Sequence, residues 1–148
     1  MGRIAIHSQQ EVVTIDRGRM REVARTVLEG EGETQAQISL AFVDNETIHR
    51  LNKRYLDHDE PTDVLSFPLS GANAKKLSGE LVIGVEVGLE QAQERSHDVE
   101  AELALYVVHG LLHLCGYDDH DDEDRTAMRE RERHYLKQLG YPDVTPQE

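Results

Sequence analysis

Between Leu103 and Cys115 the chain offers a helix with almost no side to give to water. The run Val99–Cys115 has helical spacing and is apolar on nearly every face after Leu103. Such a helix must be covered, so the remaining elements have to form layers around it. Two polar residues interrupt it. His109 and His113 stand four apart, which projects both imidazoles from one face about one turn apart. Gly116-Tyr117-Asp118-Asp119 then breaks the helix, and a third histidine, His120, follows where the chain can turn back.

The other segments provide the cover. Arg3 to His7 alternates like a strand, with Val12 to Ile15 as an apolar continuation of it, and Asp16 to Glu29 reads as a helix with Asp16 as N-cap. Ala36 to Asp44 alternates with period two as a strand, and Asn45 to Leu56 returns to helical spacing through Ile48, Leu51 and Tyr55. Thr62 to Pro68 is a strand closed by a proline, Ser70 to Ser78 a polar connection, and Gly79 to Gly84 a further strand. Glu86 to Arg95 and Asp121 to Leu139 complete the helices, the last stopped by Gly140 and Pro142. The order of elements lacks regular alternation. It predicts an α+β fold, a mixed sheet of about four strands with about five helices on it and the histidines at the end of the buried helix.

With 148 residues and no boundary signal, a single domain over 1–148 is expected. A chain of this size buries roughly 68–70% of its unfolded surface and needs no metal merely to fold, so a metal site here points to catalysis. One cysteine, Cys115, allows no intrachain disulfide, and no apolar run approaches the length of a membrane span. These features predict a soluble cytoplasmic protein without a membrane partner. The net charge of -13 counts against nucleic acid as a partner. Its distribution weakens that argument, since the acid concentrates in Glu86–Glu102 and Asp118–Glu132 while Lys53, Arg54, Lys75 and Lys76 lie elsewhere.

Two readings of the histidines stand side by side. In one, His109 and His113 are hydrogen-bonded core residues, because the i, i+4 spacing recurs by chance. In the other, they and His120 hold a divalent ion, most naturally zinc, through three neutral ligands. The ion's charge is then left to polarise bound water, whose pKa falls to about 7. Asp118, Asp119 and Asp121 would orient the rings or cap the last helix. Zinc peptidases carry a glutamate directly after the first histidine of their helix motif; here that residue is Gly110, which cannot take a proton.

His109-Gly-Leu-Leu-His-Leu-Cys-Gly-Tyr-Asp118, together with Leu51-Asn52 through Tyr55, Pro61-Thr-Asp-Val-Leu-Ser-Phe-Pro68 and Gly79-Glu-Leu-Val-Ile83, resembles the bacterial YbeY family of metal-dependent endoribonucleases. The resemblance covers most of the chain from about Ala36 to Pro142. It implies a single-strand-specific, zinc-dependent endoribonuclease of ribosomal RNA maturation and ribosome quality control, with RNA and the ribosome or its proteins as partners. One zinc per chain is implied, with another divalent ion as the alternative. His109, His113 and His120 match the ligands, acting in catalysis through the metal. The family usually has Gly-Tyr-Asp-His where this chain has Gly-Tyr-Asp-Asp-His, which leaves His120 and Asp119 both open for the third position. An arginine common after the matched tyrosine is Leu56 here, so Lys53 and Arg54 are the nearby candidates for RNA contact, and Ser66 lies in a matching strand. Two alternatives accompany this reading: a metal-binding ribosome-assembly factor with weak or no cleavage, and a metal-dependent hydrolase of a non-nucleic substrate.

Overall fold

The computed structural model describes residues 2–71 and 74–146. Four strands form one sheet: β1 (Arg3–Gln9), β2 (Gln37–Val43), β3 (Val64–Pro68) and β4 (Ser78–Gly84), in the order β1-β2-β4-β3. β1, β2 and β4 run parallel, while β3 is an antiparallel edge strand paired Ser66 to Leu81 and Phe67 to Glu80. Five helices complete the fold: α1 (Arg17–Gly30), α2 (Asn45–Leu56), α3 (Val85–Glu94), α4 (Val99–Leu114) and α5 (Asp122–Gln138). The expected α+β architecture with a mixed sheet is therefore present.

Alternation along each strand sends side chains to two faces. Ile38, Leu40 and Phe42 of β2 and Leu81 and Ile83 of β4 enter the main core with α1, α4 and α5. Val43, Leu65 and Val82 face the other way and meet Ile48 of α2 in a second, smaller cluster. α4 lies in the main core with Ala101 to Val108, Gly110, Leu111 and Leu112 all buried, as an all-round apolar helix must. Asp16, Asp44 and Asp121 cap α1, α2 and α5, each carboxylate accepting the backbone N–H three residues on.

One expectation needs correction. Val12–Ile15 does not extend the first strand: β1 runs to Gln9, and the following segment is irregular. Its turn is held by the Gln10 side chain, whose Oε1 accepts from the backbone of Val12 and Val13 while Nε2 donates to the Val13 carbonyl. A local side-chain bond wins there over strand pairing. Part of the expected connection Ser70–Ser78 lies outside the described residues, and Ser78 itself opens β4. Among the described residues no helix is long and apolar enough to cross a membrane.

Two glycines place the histidines. A Cβ on Gly110 would sit 2.8 Å from Leu81 Cδ2 and 3.2 Å from Val64 Cγ2. The missing side chain thus lets α4 approach β3 and β4 closely beside His109, and the glutamate of a peptidase motif has no room there. Gly116, at φ +103°, adopts the left-handed conformation that ends α4 and turns the chain toward Asp119 and His120.

Candidate metal centre

His109 and His113 emerge on a face of α4 that is only partly covered, both of intermediate burial. Their rings meet edge to face with centroids 4.6 Å apart, and the two Nε2 atoms are 3.1 Å from each other. The outer nitrogens are both engaged. His109 Nδ1 lies 2.8 Å from Oε2 of Glu132, a fully buried residue of α5 whose Oε1 accepts from Arg129 Nη1 at 2.8 Å. His113 Nδ1 lies 3.1 Å from the Tyr117 carbonyl.

These partners settle where the protons sit. A backbone carbonyl can only accept, so His113 Nδ1 donates; a carboxylate already held by a guanidinium accepts likewise, so His109 Nδ1 donates to Glu132. With both rings neutral, as metal ligation requires, the two Nε2 atoms then present lone pairs to each other. Two acceptors at that distance repel unless a cation lies against both. Two nitrogens at about 2.0–2.1 Å from a tetrahedral zinc would be about 3.3 Å apart, close to the spacing found here. Burial, then the neighbouring His109, holds the His113 pKa below its ordinary value, which disfavours an added proton. The donor set fits a divalent metal ion. Glu132 and the Tyr117 carbonyl supply the outer contacts that orient ligating imidazoles.

A third group comes from the turn after α4. Asp119 Oδ2 is 3.7 Å from His113 Nε2, and His109, His113 and Asp119 form a cluster able to hold an ion. His120 points outward: its side chain is 84% exposed and its Nε2 lies 3.1 Å from Asp118 Oδ1. Asp118, Asp119 and His120 make a second cluster, which shares Asp119 with the first. Tyr117 anchors this turn through its partly buried ring, packed against the main core near Glu31, whose carboxylate accepts from Tyr135 and Arg131. Burial, then Glu31 and Glu33, pushes the Cys115 thiol up to about 12, so it offers no thiolate to the site.

His109 and Asp119 line a cleft of about 500 Å³ with Thr62, Asp63, Arg95, Tyr106 and Arg129. Of the residues expected to meet RNA, Ser66 stands closest to the histidines, its hydroxyl donating to the Gly110 carbonyl at 3.3 Å. Lys53 and Arg54 do not line this cleft. Lys53 Nζ is 3.9 Å from Asp59, and the Arg54 guanidinium sits 5.4 Å from the centre of the Tyr55 ring. Glu132 and Arg129 were not foreseen from the sequence. The available signal was a glutamate inside the stripe Met128, Glu132, Tyr135, Leu136, a charge at an inward position of a helix that is otherwise polar.

A family model described as Endoribonuclease YbeY matches residues 5–140. The chain belongs to the YbeY family. Similar YbeY proteins include that of Salinibacter ruber, an Endoribonuclease YbeY 42% identical over 129 residues, covering 82% of each chain. Another, from Pelotomaculum thermopropionicum, is 38% identical over 147 residues, covering 93% of this chain and 97% of that one. The solution structure of TM1509 from Thermotoga maritima superposes with a TM-score of 0.68 at 27% identity, covering 93% of this chain and 89% of that one. Membership in the YbeY family thus agrees with the resemblance of the histidine and Pro61–Pro68 blocks.

Proposed function

We propose that this chain is a zinc-dependent endoribonuclease acting on single-stranded ribosomal RNA, in maturation and in ribosome quality control, as one cytoplasmic domain over residues 1–148. The observation that carries this is the pair of imidazole lone pairs converging at 3.1 Å, each fixed from behind by an acceptor. The names of the curated relatives support RNA as substrate. The ribosome or its proteins are the partners this reading implies.

In this proposal His109, His113 and His120 are the ligands. The ion, when bound, would polarise a phosphate oxygen and offset charge that develops during cleavage. Glu132 and the Tyr117 carbonyl hold the two rings in the tautomer that leaves Nε2 free. Arg95 and Arg129, ion-paired to Glu102 and Glu132, line the cleft with His109 and are the guanidinium donors beside which a phosphodiester would lie. Asp63 shapes the opposite wall, its Oδ1 accepting from the Val64 N–H and the Thr62 hydroxyl. Ser66 pins β3 to α4, and Lys53 and Arg54 meet RNA away from the cleft.

A second reading of the third ligand has its own support: Asp119, rather than His120, is the group seated beside the pair. Zinc content and cleavage of single-stranded ribosomal RNA fragments test the whole. One zinc per chain and chelator-sensitive cleavage are expected. Stoichiometric zinc and ribosome association with no cleavage would favour an assembly factor instead.

A further inference from the structure

β3 separates two surfaces. Val64 and Ser66 face α4, whereas Leu65 and Phe67 face α2 on the opposite side of the sheet. On that second side a groove of about 360 Å³ is lined by Leu51, Tyr55, Phe67, Leu69, Glu80 and Val82. The Tyr55 and Phe67 rings meet edge to face at 5.7 Å, and Tyr55 is 57% and Leu69 67% exposed. Of the four large apolar side chains exposed among the described residues, Tyr55 and Leu69 line this groove and Leu56 follows Tyr55 directly. Concentrated apolar exposure of this kind marks a surface that meets something.

The surroundings indicate what. Arg54 lies over the Tyr55 ring and, among the described residues, has no carboxylate partner. Lys53 is exposed on the same helix, paired only with an equally exposed Asp59. Lys75 and Lys76 are exposed on the connection between Leu69 and β4. On a chain of net charge -13, two basic residues of α2 thus directly precede an exposed tyrosine that packs on the partly buried Phe67. Cationic side chains beside a stacking ring are the combination that holds a single nucleic-acid strand, the charges on phosphate and the ring on a base. Glu80, half-buried in the groove and without a side-chain partner among the described residues, adds an acceptor for base N–H groups.

We propose that the Tyr55–Phe67–Leu69 groove is a nucleobase subsite for single-stranded RNA, in which a base stacks on Tyr55, its amino edge donates to Glu80, and Arg54 and Lys53 meet the adjoining phosphates. This deepens the endoribonuclease reading and rests on it. The strand bound here crosses the β3 edge to reach the cleft at His109, so the groove holds a nucleotide distant from the scissile bond. It contributes affinity rather than chemistry.

The test is binding of fluorescein-labelled, 2′-O-methylated hexanucleotides of A, C or U to the zinc-loaded full chain, followed by anisotropy, with cleavage kinetics on unmodified RNA. Tyr55→Ala is expected to weaken binding of the A hexamer about 5- to 150-fold, the equivalent of the roughly 1–3 kcal/mol of base–aromatic stacking. KM for cleavage rises by the same factor while kcat and zinc content stay unchanged. Tyr55→Phe restores binding, and Glu80→Gln narrows the preference for A and C over U. An exposed Tyr55 leaves the fold intact on substitution, and an unchanged melting temperature confirms it. A folded, zinc-loaded Tyr55→Ala protein with wild-type affinity and KM would overturn the subsite. So would loss of binding to a ribosomal protein with RNA affinity untouched, which assigns the groove to protein. A wild type that neither binds nor cleaves RNA would overturn the endoribonuclease reading itself, and this subsite with it.

Discussion

The cleft is flanked by two clusters built from the same three residue types. On one side Glu132, fully buried, joins His109 to Arg129; on the other Glu102, equally buried, joins His97 at 2.6 Å to Arg95 at 3.2 Å. Only the first is a metal centre candidate. His109 spends Nδ1 on its carboxylate and aims Nε2 at a second imidazole, whereas His97 spends Nε2 on Glu102. The Glu102 cluster instead ties α4 to the chain end, through the bond of 2.5 Å from Arg95 to the Val144 carbonyl. A histidine paired with a buried carboxylate is therefore not in itself a metal site. The convergence of a second free lone pair makes it one.

Substitutions that separate the two clusters follow in order of effect. His109→Ala or His113→Ala should reduce zinc from about one ion per chain to a trace, while His97→Ala leaves the zinc content unchanged; metal analysis of the folded proteins distinguishes them. Glu132→Gln should weaken zinc binding by about 10–100-fold, the usual consequence of losing an outer contact to a ligating imidazole. Glu102→Gln should leave zinc affinity alone and lower stability by about 1–3 kcal/mol, since charged hydrogen bonds at a buried site are lost. Competition with a chromogenic chelator and urea unfolding read the two effects, and equal zinc affinities would erase the distinction drawn here.

The third position comes next. His120→Ala should weaken zinc more than Asp119→Asn, because a neutral imidazole is the better zinc donor. The opposite order in the same chelator competition assigns the position to Asp119.

The smallest effect concerns the anchor of that turn. Burial alone would raise the Glu31 pKa, but hydrogen bonds from Tyr135 and Arg131 hold it below its ordinary 4.5. A depressed carboxyl pKa gives stability that is complete above the unfolded value and lost as pH falls through the folded one. Unfolding free energy should thus decline below about pH 4.5, and Glu31→Gln should flatten that acid limb in urea titrations at stepped pH.

The helix and strand order could be read from periodicity because burial dictates it: α4 had to be covered, and β2 and β4 alternate or run apolar accordingly. The histidine pair was legible for the same reason, as two polar groups in an apolar helix that need partners. Glu132 was not. It lies 23 residues from His109 in sequence, and only the packing of α5 on α4 brings its carboxylate to Nδ1. His120 illustrates the other limit: spacing shows that a turn can bring it near, but whether Asp119 or His120 faces the pair depends on one residue of turn length. Gly110 was read as a missing base; its role in close packing against Leu81 and Val64 needed the structure.

The most direct test is cleavage of a single-stranded ribosomal RNA fragment by the purified protein before chelation, after chelation and after zinc is restored. The account predicts cleavage that stops with the chelator, returns with zinc, and is absent from His113→Ala throughout. Cleavage indifferent to the chelator, or a folded protein with zinc bound at His109 and His113 that leaves RNA intact, would contradict it.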